Sequence, residues 1–182
     1  LLDEILTGEN ENGISRFFNN LNSDIKIDID KVFISNVDFL SNFKSDIKLK
    51  KNNLTNLNLS GNFDNNKKLS LSIRTNQHNE KITTLFSENA KPLVKKYKFI
   101  KGFDEGSLDF YSIKKNNLSK SKLKINNFKL KELPALTKIL TLASLQGIAD
   151  LLTGEGIRFD IFEMDFHNKK NLLTIDEIYA IG

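Results

Sequence analysis

The sequence predicts a mainly β fold with helices, a β-rich α+β chain in which an antiparallel meander of hairpins forms a curved, twisted sheet or groove. Two observations predict it. Apolar residues alternate with polar ones over many short runs, and successive strand side chains point to opposite faces, so each run has one greasy and one wet face. Between the runs a Lys/Asn cluster recurs: Lys50-Lys51-Asn52-Asn53, Lys114-Lys115-Asn116-Asn117, Lys169-Lys170-Asn171, and the permuted Asn65-Asn66-Lys67-Lys68. Asn tolerates the left-handed conformation of tight turns and Lys keeps the turn in water, so these clusters read as hairpin tips.

From the N-terminus, Asn12 to Leu21 carries Ile14, Phe17, Phe18 and Leu21 at helical spacing and predicts a short amphipathic helix over 12–21. Alternation then begins. Ile25, Ile27 and Ile29 form one run and Ile47 and Leu49 a second. Leu57, Leu59, Gly61 and Phe63 lead through the Asn65-Asn66 tip to Leu69, Leu71 and Ile73. Asn89 to Tyr97, with Pro92 in its first turn, predicts a second short helix over 89–97. Strand patterns resume at Leu108 and Phe110, at Leu123 and Ile125, and at Ile157, Phe159 and Ile161. One greasy face per strand suits an antiparallel sheet covered on one side.

Between these last runs lies the strongest helix signal, over 134–152. Pro134 fits the first turn, Leu136, Ile139, Leu140 and Ala143 share a face, and Gly154 can end the helix. Leu142, Leu145 and Ala149 lie on other faces, so the helix is apolar most of the way round and needs protein or lipid around it. Lys138, Gln146, Gly147 and Asp150 interrupt the stretch, which excludes a bilayer span.

Composition narrows the function classes. The chain has 182 residues, 39% hydrophobic and 27% charged, enough for one module. A Leu at position 1 and a strand pattern running up to Gly182 read as a piece of a longer protein, with 1–105 a strand-rich part and 106–182 a second part. The net charge of +4 comes almost wholly from Lys, with only Arg16, Arg74 and Arg158 as Arg. Base and phosphate recognition favours the Arg fork, so this Lys excess argues against a nucleic-acid partner; a Lys- and Asn-rich composition is also what an AT-rich genome encodes. The absence of Cys removes disulfides and thiolate metal sites.

The possible chemistry reads as structure. His78 sits in a polar turn and His167 among hairpin residues, about ninety positions apart, with no metal or triad spacing. Asp160, Glu163 and Asp165 are wet-face partners of Phe159, Ile161, Phe162, Met164 and Phe166, and Asp24, Asp28 and Asp30 lack the Gly turn of a calcium loop. Gly154-Glu155-Gly156 follows a helix pattern and reads as its stop, not as a phosphate loop. The expectation is a protein that is not an enzyme, with no catalytic residues, no cofactor and no metal.

The segment from Leu123-Lys124-Ile125-Asn126-Asn127-Phe128 through Leu133-Pro134-Ala135-Leu136, Leu142-Ala143-Ser144-Leu145-Gln146-Gly147-Ile148 and Leu151-Leu152-Thr153-Gly154-Glu155-Gly156-Ile157-Arg158-Phe159-Asp160 to Leu172-Leu173-Thr174-Ile175-Asp176-Glu177 resembles the C-terminal region of AsmA-like proteins. That family takes in the YhdP-type and TamB-type proteins of the bacterial envelope. The family usually has Asp-Gly at the last hairpin tip, where this chain has Lys170-Asn171. The resemblance covers under half the chain; residues 1–105 match only in hairpin style.

It implies a periplasmic protein, anchored in the inner membrane by an N-terminal helix, whose strands form a long hydrophobic groove. That groove would carry phospholipid acyl chains toward the outer membrane, with envelope proteins as further partners. On that reading the groove is lined by Ile25, Ile27, Ile29, Leu57, Leu59, Leu71, Ile73, Leu108, Phe110, Leu123, Ile125, Leu136, Ile139, Leu140, Ile157, Phe159 and Ile161. The alternative is a structural or assembly module in which the same face packs against protein and lipid never enters.

Overall fold

Alternation and turn chemistry account for the observed architecture. The computed structural model describes residues 22–51, 53–97, 100–131, 156–170 and 172–182. Nine strands follow in chain order: β1 (Ser23–Phe33), β2 (Phe39–Lys50), β3 (Asn53–Asn62), β4 (Lys68–Thr75), β5 (Lys81–Ser87), β6 (Phe103–Lys115), β7 (Leu118–Leu130), β8 (Ile157–Lys169) and β9 (Leu172–Ile181). Among the described residues one short α-helix, α1 (Lys91–Tyr97), lies between β5 and β6. The strands make a single open sheet in the order β1 to β9, every neighbour pair antiparallel. The chain is mostly antiparallel β with very little helix among the described residues. The division at residue 105 falls inside β6, and one sheet runs through both parts.

The four Lys/Asn clusters lie where the chain reverses. Lys51, Asn66, Asn116 and Lys170 each take a positive φ between 49° and 58°, the left-handed conformation that short reversals need. The β4–β5 turn uses another device: the Asn76 side-chain oxygen accepts hydrogen bonds from the backbone N–H groups of His78 and Glu80, each at 2.9 Å. Exposed His78 therefore occupies a turn. His167 does not: it lies on β8, its Nδ1 2.8 Å from Asp176 Oδ1 on β9.

Helix α1 answers the expectation over 89–97, starting two residues later. The helices expected over 12–21 and 134–152 lie outside the described residues. Ala90 N–H donates to the Gly106 carbonyl at 2.8 Å, and Ala90, Leu93 and Val94 turn inward. Ala90 and Val94 join Phe103, Ile125, Phe128, Leu130, Ile157 and Phe159 in the larger core cluster, while Leu93 meets Leu40, Phe63 and Leu69 in a second. A third cluster, Leu57, Leu71 and Ile73, packs with Ile47 and Leu54.

Asp104 fastens this end of the sheet. Its carboxylate takes an ion pair from Lys91 of α1 at 2.7 Å and another from Lys131 just past β7. Hydrogen bonding from Lys131 and then from Lys91 holds the Asp104 carboxyl well below the usual carboxylate range. A lowered folded value means that the stabilisation is complete above the ordinary Asp value near 3.8 and fades as pH falls below it. Asp104→Asn is therefore expected to lose about 1–2 kcal/mol at pH 7, the charge-assisted bonds discounted for their partly open setting. Urea unfolding at pH 7 and at pH 3 checks this: the gap between the two proteins should narrow at the lower pH, and an equal gap at both counts against the ion-pair account.

Candidate functional site

Register turns the apolar alternation into continuous rows. Ile25, Ile47, Leu57 and Ile73 stand opposite one another from β1 to β4, and Phe166 and Ile175 close the same row at the far side. A second row runs Ile27, Ser45, Leu59, Leu71, Leu85, Phe110, Leu123, Met164 and Ile178, crossing all nine strands. A third joins Leu69, Ser87, Leu108, Ile125, Phe162 and Ala180.

Among the described residues, those expected to line a groove, Ile161 excepted, are thus brought onto one face, at differing depth. Leu57, Leu71, Ile73, Leu108, Ile125, Ile157 and Phe159 are buried. Ile27, Leu59, Phe110, Leu123 and Ile161 are half-buried, and Ile25 and Ile29 keep 39% and 44% of their exposure. Leu136, Ile139 and Leu140 lie outside the described residues. The face is most closed in the middle of the sheet and most open at its edges, where β9 exposes Leu173, Ile175 and Ile178. Three buried serines, Ser45, Ser87 and Ser112, interrupt it. Ser121 donates to Ser112 at 2.9 Å and Ser87 to the Asn89 carbonyl at 2.7 Å.

The run Ile157, Phe159, Ile161 needs correction. Phe162, not Ile161, pairs with Ile125 and joins the buried cluster with Phe159, so the buried positions change from odd to even along β8. The same exchange occurs in β2 between Leu40 and Phe43, in β6 between Phe103 and Leu108, and in β7 between Ile125 and Phe128. In three of the four strands a left-handed residue sits at the exchange: Asn42, then Glu105 with Gly106, then Asn127. A local kink of this kind moves every later side chain to the other face. Lys129 and Arg158 hold the Glu105 carboxylate at 3.0 and 3.2 Å, which anchors the kink in β6.

One important contributor to this face, Leu85, is missing from the expected lining. It packs against all three core clusters from the middle of β5. The available signal is the β-branched run Ile82-Thr83-Thr84, which favours a strand even without alternation.

On the opposite face the charges pair along the strands. Lys122 reaches Glu163 at 3.3 Å and Asp165 at 3.6 Å, and Lys124 reaches Glu163 at 2.8 Å. Hydrogen bonds from Lys124 and then Lys122 lower the Glu163 carboxyl below its ordinary value. Lys44 pairs with Asp28 and Lys48 with Asp24. Glu163, Asp165, Asp24 and Asp28 therefore serve as ion-pair partners across neighbouring strands. Among the described residues no group of three or more His, Asp or Glu could hold a metal ion, and no helix is long and apolar enough to cross a membrane.

No protein-family model, curated protein or solved structure matches this chain. The apolar face and its two edges, open among the described residues, are accordingly the features on which a functional reading rests.

Proposed function

We propose that this chain is a non-catalytic segment of an AsmA-like envelope protein, whose apolar sheet face carries phospholipid acyl chains between inner and outer membrane. The observation that carries the reading is the row from Ile27 to Ile178, apolar at every strand except Ser45. Nine strands span eight inter-strand spacings, roughly 38 Å. That exceeds the depth of one leaflet of hydrocarbon, about 15 Å, so an acyl chain could lie along the row and move from strand to strand. Among the described residues the outer sides of β1 and β9 pair with no further strand, which suits a sheet continued by similar strands into a longer, curved and twisted groove. The apolar helix expected over 134–152 would lie across that groove or close its end. The resemblance adds the periplasmic setting and the inner-membrane anchor.

A specific observation favours the alternative, a structural or assembly module that packs against protein. Leu57, Leu71, Ile73, Leu108 and Ile125 all keep under 5% of their exposure, which leaves the middle of the face without room for an acyl chain.

Photo-crosslinking separates the two. A diazirine amino acid is placed at half-buried Leu123 or Phe110, with outward Lys124 as reference, and the protein is incubated with phosphatidylethanolamine vesicles. Lipid conduction predicts several-fold more lipid adduct at Leu123 and Phe110 than at Lys124. Equal labelling at all three positions sinks the conduit and leaves the packing module.

A further inference from the structure

The face opposite the apolar rows is polar, yet its middle strands carry two aromatic side chains. Thr84 pairs with Tyr111 across β5 and β6, and Phe86 pairs with Asp109 one step along the same face. Phe86 and Tyr111 are therefore diagonal neighbours, within reach of each other for side chains of this length. Tyr111 keeps 43% of its exposure and Phe86 38%. Neither ring belongs to a core cluster.

Around them the register places short hydroxyl and amide side chains. Asn58, Ser72 and Thr84 lead along one row to Tyr111, and Ser70 adjoins Phe86 in the next. These residues line a hollow of about 590 Å³ that reaches from Lys44 on β2 to Lys122 and Lys124 on β7. Five inter-strand spacings make it roughly 24 Å long. Its lysines already have carboxylate partners: Lys44 has Asp28, Lys122 has Glu163 and Asp165, and Lys124 has Glu163. Among the described residues, the groups left free to meet a ligand are hydroxyls, an amide, two ring faces and the Asp46 and Asp109 carboxylates, which accept hydrogen bonds from hydroxyl groups.

That set of groups selects one chemistry. Hydroxyls and amides both donate and accept hydrogen bonds, which matches a ligand rich in hydroxyl groups. The negative face of an aromatic ring attracts the polarised C–H groups on the flat side of a sugar ring. A free anion would need unpaired cations, and an acyl chain would leave the hydroxyls and amide of the hollow without partners. We infer that the polar face of β3 to β7 is a carbohydrate-binding surface for an uncharged glycan segment lying across the strands, with Tyr111 and Phe86 as its stacking platforms. The inference is independent of what occupies the apolar face.

The test is an NMR titration of the 182-residue chain with the tetrasaccharide of N-acetylglucosamine and, separately, with maltotetraose. Binding of either sugar should shift the backbone amides of Ser72, Thr84 and Tyr111 in a saturable way. Tyr111→Ala should weaken that binding by about fivefold to tenfold, the worth of one stacked ring. Tyr111→Phe, which keeps the ring, should stay within about twofold. Both substitutions are at an exposed position, and unchanged spectra away from the hollow will show that the fold is intact. No shifts with either sugar at about 10 mM, weaker than any useful site, overturns the proposal. So does undiminished affinity in Tyr111→Ala. Shifts at Lys122 and Lys124 with glycerol 3-phosphate and none with the sugars would give the hollow to phosphate and likewise overturn it.

Discussion

Phe128→Ala is expected to destabilise this chain by about 3–5 kcal/mol, the range for removing a buried aromatic side chain. Phe128 keeps 1% of its exposure and sits in the middle of three stacked rings. Phe103 lies 5.3 Å away at 17° and Phe159 5.1 Å away at 11°. Truncation removes the ring's transfer free energy, leaves a cavity between two rigid neighbours, and breaks both stacked contacts, each worth about 0.5–1.5 kcal/mol beyond area. Since a domain's whole stability is about 5–15 kcal/mol, this one change can approach the unfolding threshold. Equilibrium urea unfolding will show it as a lower midpoint with an unchanged slope. Phe86→Ala, at an exposed position on the other face, should stay within about 0.5 kcal/mol. A loss below about 1.5 kcal/mol for Phe128→Ala would mean that the site collapses freely and that the stack is not the core. The double variant with Phe159→Ala should fall short of additivity, because the two rings share one contact.

Phe128 also shows where the sequence is legible and where it is not. The alternating runs around Ile25, Leu57, Leu71 and Leu123 mark strands correctly because each keeps one apolar face over several residues, so period two survives in the letters. The Lys/Asn tips are legible because the chemistry of a tight turn is local. Phe128 itself falls out of phase with Leu123 and Ile125, since the left-handed Asn127 moves the later part of β7 to the other face. Asn tolerates that conformation without requiring it, so the letters alone do not announce the kink. Strand β5 is hidden for a different reason: Thr83 and Thr84 are polar letters in a strand whose central contact, Leu85, is a single residue. The candidate lining is legible as a set of apolar positions. How deeply each is buried depends on which rows meet α1 and which meet an open edge, and that is a property of the assembled sheet. The aromatic pair Phe86 and Tyr111 becomes visible only through register, because its members lie 25 positions apart on paired strands.

Gly156→Ala is the second substitution with a large expected effect, about 2–4 kcal/mol of lost stability. The helix that Gly154-Glu155-Gly156 is expected to stop lies outside the described residues, but Gly156 itself takes a left-handed conformation, with φ +85°. Its structural duty is more specific. Gly156 is buried immediately before β8, beside the end of β7, where Leu130 pairs with Ile157. A Cβ built on Gly156 would stand 2.7 Å from the Leu130 carbonyl oxygen and 3.1 Å from its carbon. Both are backbone atoms, so the contact cannot be relieved by rotating a side chain. Alanine must either keep an unfavourable φ and push the end of β7 away, or change φ and misdirect the start of β8. Either course strains the Leu130–Ile157 pair, and both residues belong to the larger core cluster. Gly61→Ala makes a useful comparison. Its Cβ would meet the Leu40 side chain at 3.2 Å, with no left-handed backbone to strain, so a loss of about 1 kcal/mol is expected there. Hydrogen exchange identifies the mechanism: Gly156→Ala should speed exchange at the Ile157 and Leu130 amides beyond the global change. Stability within about 0.5 kcal/mol of the parent would show that the β7 end yields without cost, and the close backbone approach would then not be what demands glycine.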